Sequence, residues 1–211
     1  MSVVASYRLD RARSRLFDST GRSFDPATRA WSTPSAAVTG DDVDAVTAVT
    51  WLQRMSGAPI RVPIGVIGPR EATPAQWSAA EAVGRGLGTM GFVVICGGRQ
   101  GVMEAVSKGI GDAGGVAIGM LPEADPTFAN PHVGIVIATG IGEARNALIA
   151  RAAFCLVAIG NSYGTLSEVA LGRHFGKRVI GLEGAANVDG VIHVANVEQA
   201  LEEVAKCALC V

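Results

Sequence analysis

Two ionisable residues stand where side chains could do chemistry. Arg145 follows the turn-like run Thr139-Gly140-Ile141-Gly142-Glu143-Ala144, and Glu168 closes the run Gly160-Asn161-Ser162-Tyr163-Gly164-Thr165-Leu166-Ser167. Each lies where an apolar stretch gives way to a helix-like one, and their separation of 23 residues is one strand-helix unit. An arginine grips phosphate or carboxylate bidentately, while a glutamate binds ribose hydroxyls or assists departure of a base through an oxocarbenium-like state. A plainer reading stands beside each. Thr165 and Glu168 have the spacing of a capping box, and Arg145 could pair with Glu143 on the surface. A cation in the first helical turn opposes the helix dipole, which weighs against a purely structural Arg145.

Glycine-rich turns recur along the chain: Gly68-Pro69-Arg70, Gly97-Gly98-Arg99-Gln100-Gly101, the run from Thr139 and Gly140 to Asn146, and Gly160 to Glu168. Glycine lets the backbone approach a ligand, and the first amides of a following helix lack intrahelical partners, so such turns suit an anion. Phosphate is the expected anion, with the amides of Gly98 to Val102 and Gly164 to Leu166 as its cradle. The Gly97 to Gly101 turn is neither the Gly-x-Gly-x-x-Gly dinucleotide fingerprint nor a P-loop, since no Gly-Lys-Ser/Thr follows, which removes support for nicotinamide redox and nucleoside triphosphatase chemistry.

The elements that must position these turns alternate regularly from residue 62 onward. Strands are expected at Val62 to Gly68, Phe92 to Cys96, Val116 to Leu121, Ile135 to Ala138, Phe154 to Ile159 and Arg178 to Leu182, with a short piece at Val191 to Val194. Helices are expected from Thr73-Pro74 to Met90, Gly101 to Asp112, Glu143 to Ala153, Thr165 to Phe175 and Val197 to Ala208. This predicts an α/β, Rossmann-like fold: a parallel sheet with helices on both faces, its turns gathered at one sheet edge. Residues 1–60 read as an N-terminal extension of turn-rich polar sequence, with a helix at Asp41 to Met55 on a Val43, Val46, Val49 ridge; residues 61–211 read as the phosphate-binding domain.

Composition narrows the function classes. The 211 residues are 49% hydrophobic and 18% charged, as in a globular protein with buried strands, and the net charge of −1 provides no field to recruit nucleic acid. The absence of a long apolar run or a leader-like start argues for a cytoplasmic protein without a membrane partner. Cysteines 96, 155, 207 and 210 and histidines 132, 174 and 193 are too scattered for a zinc site, so no metal is expected. The lysines, 108, 177 and 206, stand outside the glycine-rich turns, which leaves pyridoxal phosphate without a Schiff-base residue.

The segments Gly97-Gly98-Arg99-Gln100-Gly101-Val102-Met103-Glu104-Ala105-Val106, Ala144-Arg145-Asn146 and Tyr163-Gly164-Thr165-Leu166-Ser167-Glu168 resemble motifs of the "lonely guy" cytokinin-activating phosphoribohydrolases, relatives of which are labelled possible lysine decarboxylases. Within that superfamily, Ile64-Gly65-Val66-Ile67-Gly68-Pro69, Ala138-Thr139-Gly140-Ile141-Gly142 and Glu168-Val169-Ala170-Leu171 are most similar to the molybdenum cofactor carrier branch. The resemblance implies a Rossmann-like homo-oligomer, a dimer or tetramer, that binds a small phosphorylated ligand. It assigns Arg145 and Glu168 to the active site, and Gly68, Gly97, Gly98, Arg99, Gly101, Met103, Thr139, Gly140, Asn146, Gly160, Ser162, Tyr163, Gly164 and Thr165 to ligand contacts. Where the phosphoribohydrolases carry Pro-Gly-Gly, this chain has Gly160-Asn161-Ser162. The altered turn favours a carrier or sensor of molybdenum cofactor or a nucleotide monophosphate, with no further cofactor required. The alternative is a nucleoside 5′-monophosphate phosphoribohydrolase releasing free base and ribose 5-phosphate.

Overall fold

The computed structural model describes residues 7–34 and 38–211 and divides the chain into two compact units, Met1–Ile60 with Val204–Val211, and Arg61–Glu203. The first unit contains an antiparallel sheet that the sequence reading did not anticipate. Strands β1 (Tyr7–Asp10), β2 (Arg15–Phe17), β3 (Arg22–Asp25), β4 (Ala30–Pro34) and β5 (Asp41–Val43) pair in the order β4-β3-β2-β1-β5. These strands are three to five residues long and four of the five carry arginine or aspartate, so no apolar run announces them. Their inward residues Tyr7, Leu9, Leu16, Phe17 and Phe24 are buried, and the Trp31 indole donates to the Leu209 carbonyl at 2.8 Å. The helix expected from Asp41 begins instead at Ala45, as α1 (Ala45–Met55), because Asp44 caps it by accepting from the Thr47 amide while Asp41 to Val43 pair with β1.

The second unit is the expected α/β layer structure. Strands β6 (Ile64–Ile67), β7 (Val94–Cys96), β8 (Ala117–Leu121), β9 (Ile135–Ala138), β10 (Leu156–Ile159), β11 (Val179–Leu182) and β12 (Val191–His193) form one seven-stranded sheet, order β12-β11-β10-β6-β7-β8-β9, parallel throughout. Every residue of β6, β7, β10 and β11 is buried, which explains their unbroken apolar sequences. Helix α2 (Pro74–Met90) starts as expected: Thr73 and Gln76 form a reciprocal capping box, and Gly91 at φ 96° ends it.

Helices α2 and α3 (Val102–Asp112) pack on each other on one side of the sheet, as do α4 (Arg145–Ala152) and α5 (Tyr163–His174) on the other. The last helix, α6 (Val197–Ala208), places Leu201 against Gly86 of α2. At the end of α4, Ala150 and Ala153 are fully buried in one cluster with Ile67, Ile95 and Leu156, so that part of the helix belongs to the core. The α2/α3 contact depends on backbone touching backbone. A Cβ on Gly109 would lie 2.0 Å from the Glu81 carbonyl oxygen, and one on Gly84 would lie 2.4 Å from that of Val106.

Overpacking of this kind sets an expectation. Gly109→Ala should destabilise the unit by about 1–3 kcal/mol, whereas Gly111→Ala, with nothing within 4 Å of the added carbon, should be neutral or stabilising through helix propensity. Urea unfolding of the two variants checks this, and equal midpoints would contradict the close contact.

Candidate functional site

From β6 the chain moves outward through β7, β8 and β9, then returns to place β10 on the other flank of β6. Loops leaving β6 and β10 therefore diverge, which opens a crevice beyond their carboxyl ends. A cavity of about 520 Å³ lies there, lined by Ile67 to Glu71 after β6, Gly97, Arg99 and Met103 after β7, Glu143, Arg145 and Asn146 before and within α4, and Asn161, Ser162, Gly164, Thr165 and Glu168 after β10. Gly68 is required where the two strand ends meet, since a Cβ would approach the Ile159 carbonyl oxygen to 2.6 Å.

Helix α5 starts two residues earlier than the sequence suggested, at Tyr163 rather than Thr165. Ser162 is its N-cap: its hydroxyl accepts from the Thr165 amide at 3.1 Å and contacts the Thr165 hydroxyl at 2.9 Å. The expected Thr165/Glu168 capping box is thereby displaced. The amides of Tyr163 and Gly164, in the first turn, have no intrahelical partner. Glu168, freed from capping, points instead toward Arg145.

Arg145 and Glu168 are only 5% exposed each, and Arg145 Nη1 lies 3.4 Å from Glu168 Oε1. That separation is long for a charge-assisted hydrogen bond. Burial outweighs the attraction of the guanidinium, and the Glu168 carboxyl is pushed up to about 8, with Glu143 adding to the rise. Glu168 is therefore largely protonated at neutral pH and offers the guanidinium little counter-charge; exposed Glu143 is the other acidic neighbour of Arg145, at 4.0 Å. The guanidinium lies against Gly97, where a Cβ would meet its terminal nitrogens at 2.7 and 2.8 Å and the Met103 sulfur at 2.6 Å. Arg99, also on the cavity wall, pairs with Glu123 at 2.8 Å, and Asn130 holds the turn by donating to the Arg99 carbonyl at 2.9 Å.

Gly68, Gly97, Arg99, Met103, Arg145, Asn146, Ser162, Gly164, Thr165 and Glu168 thus share one cavity. Others expected with them serve the scaffold. Gly98, at φ 73°, sits where a Cβ would strike Gly119, and Gly101, at φ 70°, sits under the Pro69 and Arg70 carbonyls. The Val102 amide donates to the Pro69 carbonyl at 3.1 Å, so this member of the expected Gly98 to Val102 cradle is taken by the chain's own loop. Thr139 donates to the Leu121 carbonyl, Gly140 packs on Ala124, and Gly160 lies beneath the Gln76 amide. Tyr163 is 95% exposed and outside the cavity lining. The sequence reading left Arg70, Glu71, Glu143 and Asn161 out of the site. Pro69-Arg70 at a strand end was the available signal, since Gly101 fixes that backbone and leaves the Arg70 side chain exposed on the cavity rim, 3.4 Å from Gln100.

Fold and site together define a doubly wound Rossmann-like α/β protein with a pocket at its topological switch point that holds a buried arginine. Residues 61–209 match the SLOG cluster4 family, and the chain belongs to it. A protein of Archaeoglobus fulgidus is 38% identical over 128 residues, 61% of this chain and 84% of that protein. Among solved structures, the molybdenum cofactor binding protein of the phototrophic bacterium Rippkaea orientalis is 35% identical, with 69% of this chain and 96% of that chain covered and a TM-score of 0.65. The molybdenum cofactor carrier protein of Chlamydomonas reinhardtii is 32% identical, with 72% and 100% covered and a TM-score of 0.65. A cytokinin riboside 5′-monophosphate phosphoribohydrolase of Arabidopsis thaliana is 35% identical over 79 residues, only 36% of this chain and 35% of that enzyme. The chain is thus a lonely-guy superfamily member near the molybdenum cofactor carrier branch. No helix among the described residues is long and apolar enough to cross a membrane.

The raised Glu168 fixes a sign for pH dependence. Between the ordinary glutamate range and about 8, the folded chain holds a proton that the unfolded chain has released, so stability falls as pH rises through that window. Glu168→Gln should remove this component, reducing the loss of unfolding free energy between pH 5 and pH 8 by on the order of a few kcal/mol. Urea titrations at both pH values measure it; identical losses in the two proteins would show that Glu168 ionises normally.

Proposed function

We propose that this protein binds a small phosphorylated heterocycle as a carrier or sensor, molybdenum cofactor being the cargo that its solved relatives favour. The observation that carries the reading is a buried arginine 3.4 Å from an equally buried carboxyl whose affinity for its proton desolvation raises, set beside the open start of α5. Both features attract an anion from the same side. The phosphate is held by the Tyr163 and Gly164 amides and the Ser162 and Thr165 hydroxyls, with Arg145 as counter-charge and Arg70 at the rim. The remaining cavity, about 520 Å³ in all, is of the size that encloses a small organic ligand.

Calorimetry on ligand-free protein should detect binding of a nucleoside 5′-monophosphate or of molybdenum cofactor. Arg145→Ala should weaken it at least about tenfold, and binding should also weaken above pH 8 as Glu168 ionises and competes for Arg145. No binding of nucleotides, pterins or molybdenum cofactor would sink the reading. Chromatography of the same nucleotide mixtures addresses the hydrolase alternative: base release that disappears in Glu168→Gln would replace the carrier assignment with a phosphoribohydrolase.

We further infer that copies of the chain associate through β9. This edge strand has no lysine, proline or charge to blunt it, and Ile135 and Ile137 are 50% and 40% exposed. Its free edge is self-complementary about a two-fold axis. Ile135→Asp with Ile137→Asp should lower the mass measured by light scattering to that of one chain; an unchanged oligomer would place the contact elsewhere.

A further inference from the structure

Asn146 is 4% exposed and lines the cavity. Its amide group has an orientation that can be deduced rather than assigned. The Gly164 carbonyl can only accept, so Ser167 commits its hydroxyl proton there, at 2.7 Å. Ser167 Oγ, 3.0 Å from the Asn146 amide, then has only lone pairs left to offer and must receive an N–H from Asn146 Nδ2. The opposite flip would set two lone-pair oxygens against each other. Asn146 Oδ1 is consequently held away from Ser167, buried, and without a hydrogen-bond donor among the described residues. A buried acceptor left unmet is costly, and such groups in native proteins generally find a partner.

We propose that Asn146, oriented by Ser167, is a specificity-determining residue of this pocket, its Oδ1 accepting a hydrogen bond from a neutral N–H or O–H of the bound molecule. This rests on the carrier reading and adds to it which chemistry the ligand must present beside its phosphate. The chain Gly164, Ser167, Asn146 starts in the first turn of α5, at the phosphate end, and ends in α4. A ligand therefore meets anion-binding amides and a donor-seeking oxygen tied together by two hydrogen bonds. A molecule offering only acceptors, or a bare anion, satisfies the first and leaves the second unmet.

Calorimetry of the full chain with inorganic phosphate, ribose 5-phosphate and guanosine 5′-monophosphate tests this, using wild type, Asn146→Ala and Ser167→Ala. Asn146→Ala should weaken guanosine 5′-monophosphate about tenfold while leaving inorganic phosphate unchanged. Ser167→Ala, which keeps the amide but frees it to flip, should produce a smaller loss for the nucleotide and none for phosphate. If the donor is a ribose hydroxyl, ribose 5-phosphate loses the same factor; if it is a ring N–H, only the nucleotide does. A parallel fall in phosphate affinity, or no change for the nucleotide in either variant, would overturn the proposal while the carrier reading stands. A wild type that binds none of the three phosphates, nor molybdenum cofactor, would overturn both. Should Asn146→Ala fail to fold, Ser167→Ala decides the matter alone, since a fixed amide predicts a loss and a freely rotating one predicts none.

Discussion

The site depends on a charge imbalance that burial imposes. Two ionisable groups of opposite sign lie 3.4 Å apart at the end of a parallel sheet, both almost fully removed from water. A buried ion pair is stable only when its geometry is good enough to offset desolvation. Here the approach is too long, and the carboxyl yields by keeping its proton. The arginine cannot yield, since guanidinium stays charged in proteins. What remains is a positive charge in a partly enclosed cavity, and the neighbouring backbone has the same polarity: Gly97 lets the guanidinium lie flat on the β7 turn, and Ser162 caps α5 while leaving its first amides open.

The two glycine-rich helix starts differ in how far the chain's own loops occupy them. The turn before α3 has the better-looking sequence, Gly97 to Gly101, yet its helix start faces the loop from β6, and the Val102 amide is taken by Pro69. That loop is drawn down because β6 sits at the middle of the strand order, where chain leaving it must cross the β7 turn. Gly101 is needed to clear the Pro69 and Arg70 carbonyls. The turn before α5 lies across the switch point, where no following strand covers it.

Much of this was legible in the sequence because each signal was local. The order and rough positions of strands and helices in residues 62–208 followed from apolar runs bounded by glycine, proline and caps, and the Thr73-Pro74 helix start stood in the chain as written. Arg145 and Glu168 could be singled out because their spacing spans one repeating unit. The rest was not legible for physical reasons. Ser162 and Thr165 compete for the cap of α5, and which one wins depends on how β10 delivers the chain into the turn. Glycines at 98, 101 and 160 look the same in sequence whether they clear a ligand or a neighbouring backbone. The first unit's strands were hidden because strands of three to five residues interrupted by arginine or aspartate carry no periodicity distinct from loop.

The protonation state of Glu168 also bears on what kind of protein this is. Hydrolysis of an N-glycosidic bond through an oxocarbenium-like state needs negative charge close to the developing cation. A carboxyl that holds its proton to about 8 supplies a hydrogen-bond donor instead, and beside it stands an arginine whose positive charge opposes the same cation. A bound phosphate would neutralise Arg145, which removes the main influence lowering the Glu168 affinity for its proton and so keeps the carboxyl neutral. The loaded state thus reinforces its own electrostatics: anion on arginine, proton on glutamate, and little net charge left to drive bond cleavage. In the carrier proposed above, this arrangement is the one that holds a phosphorylated ligand without a carboxylate beside it.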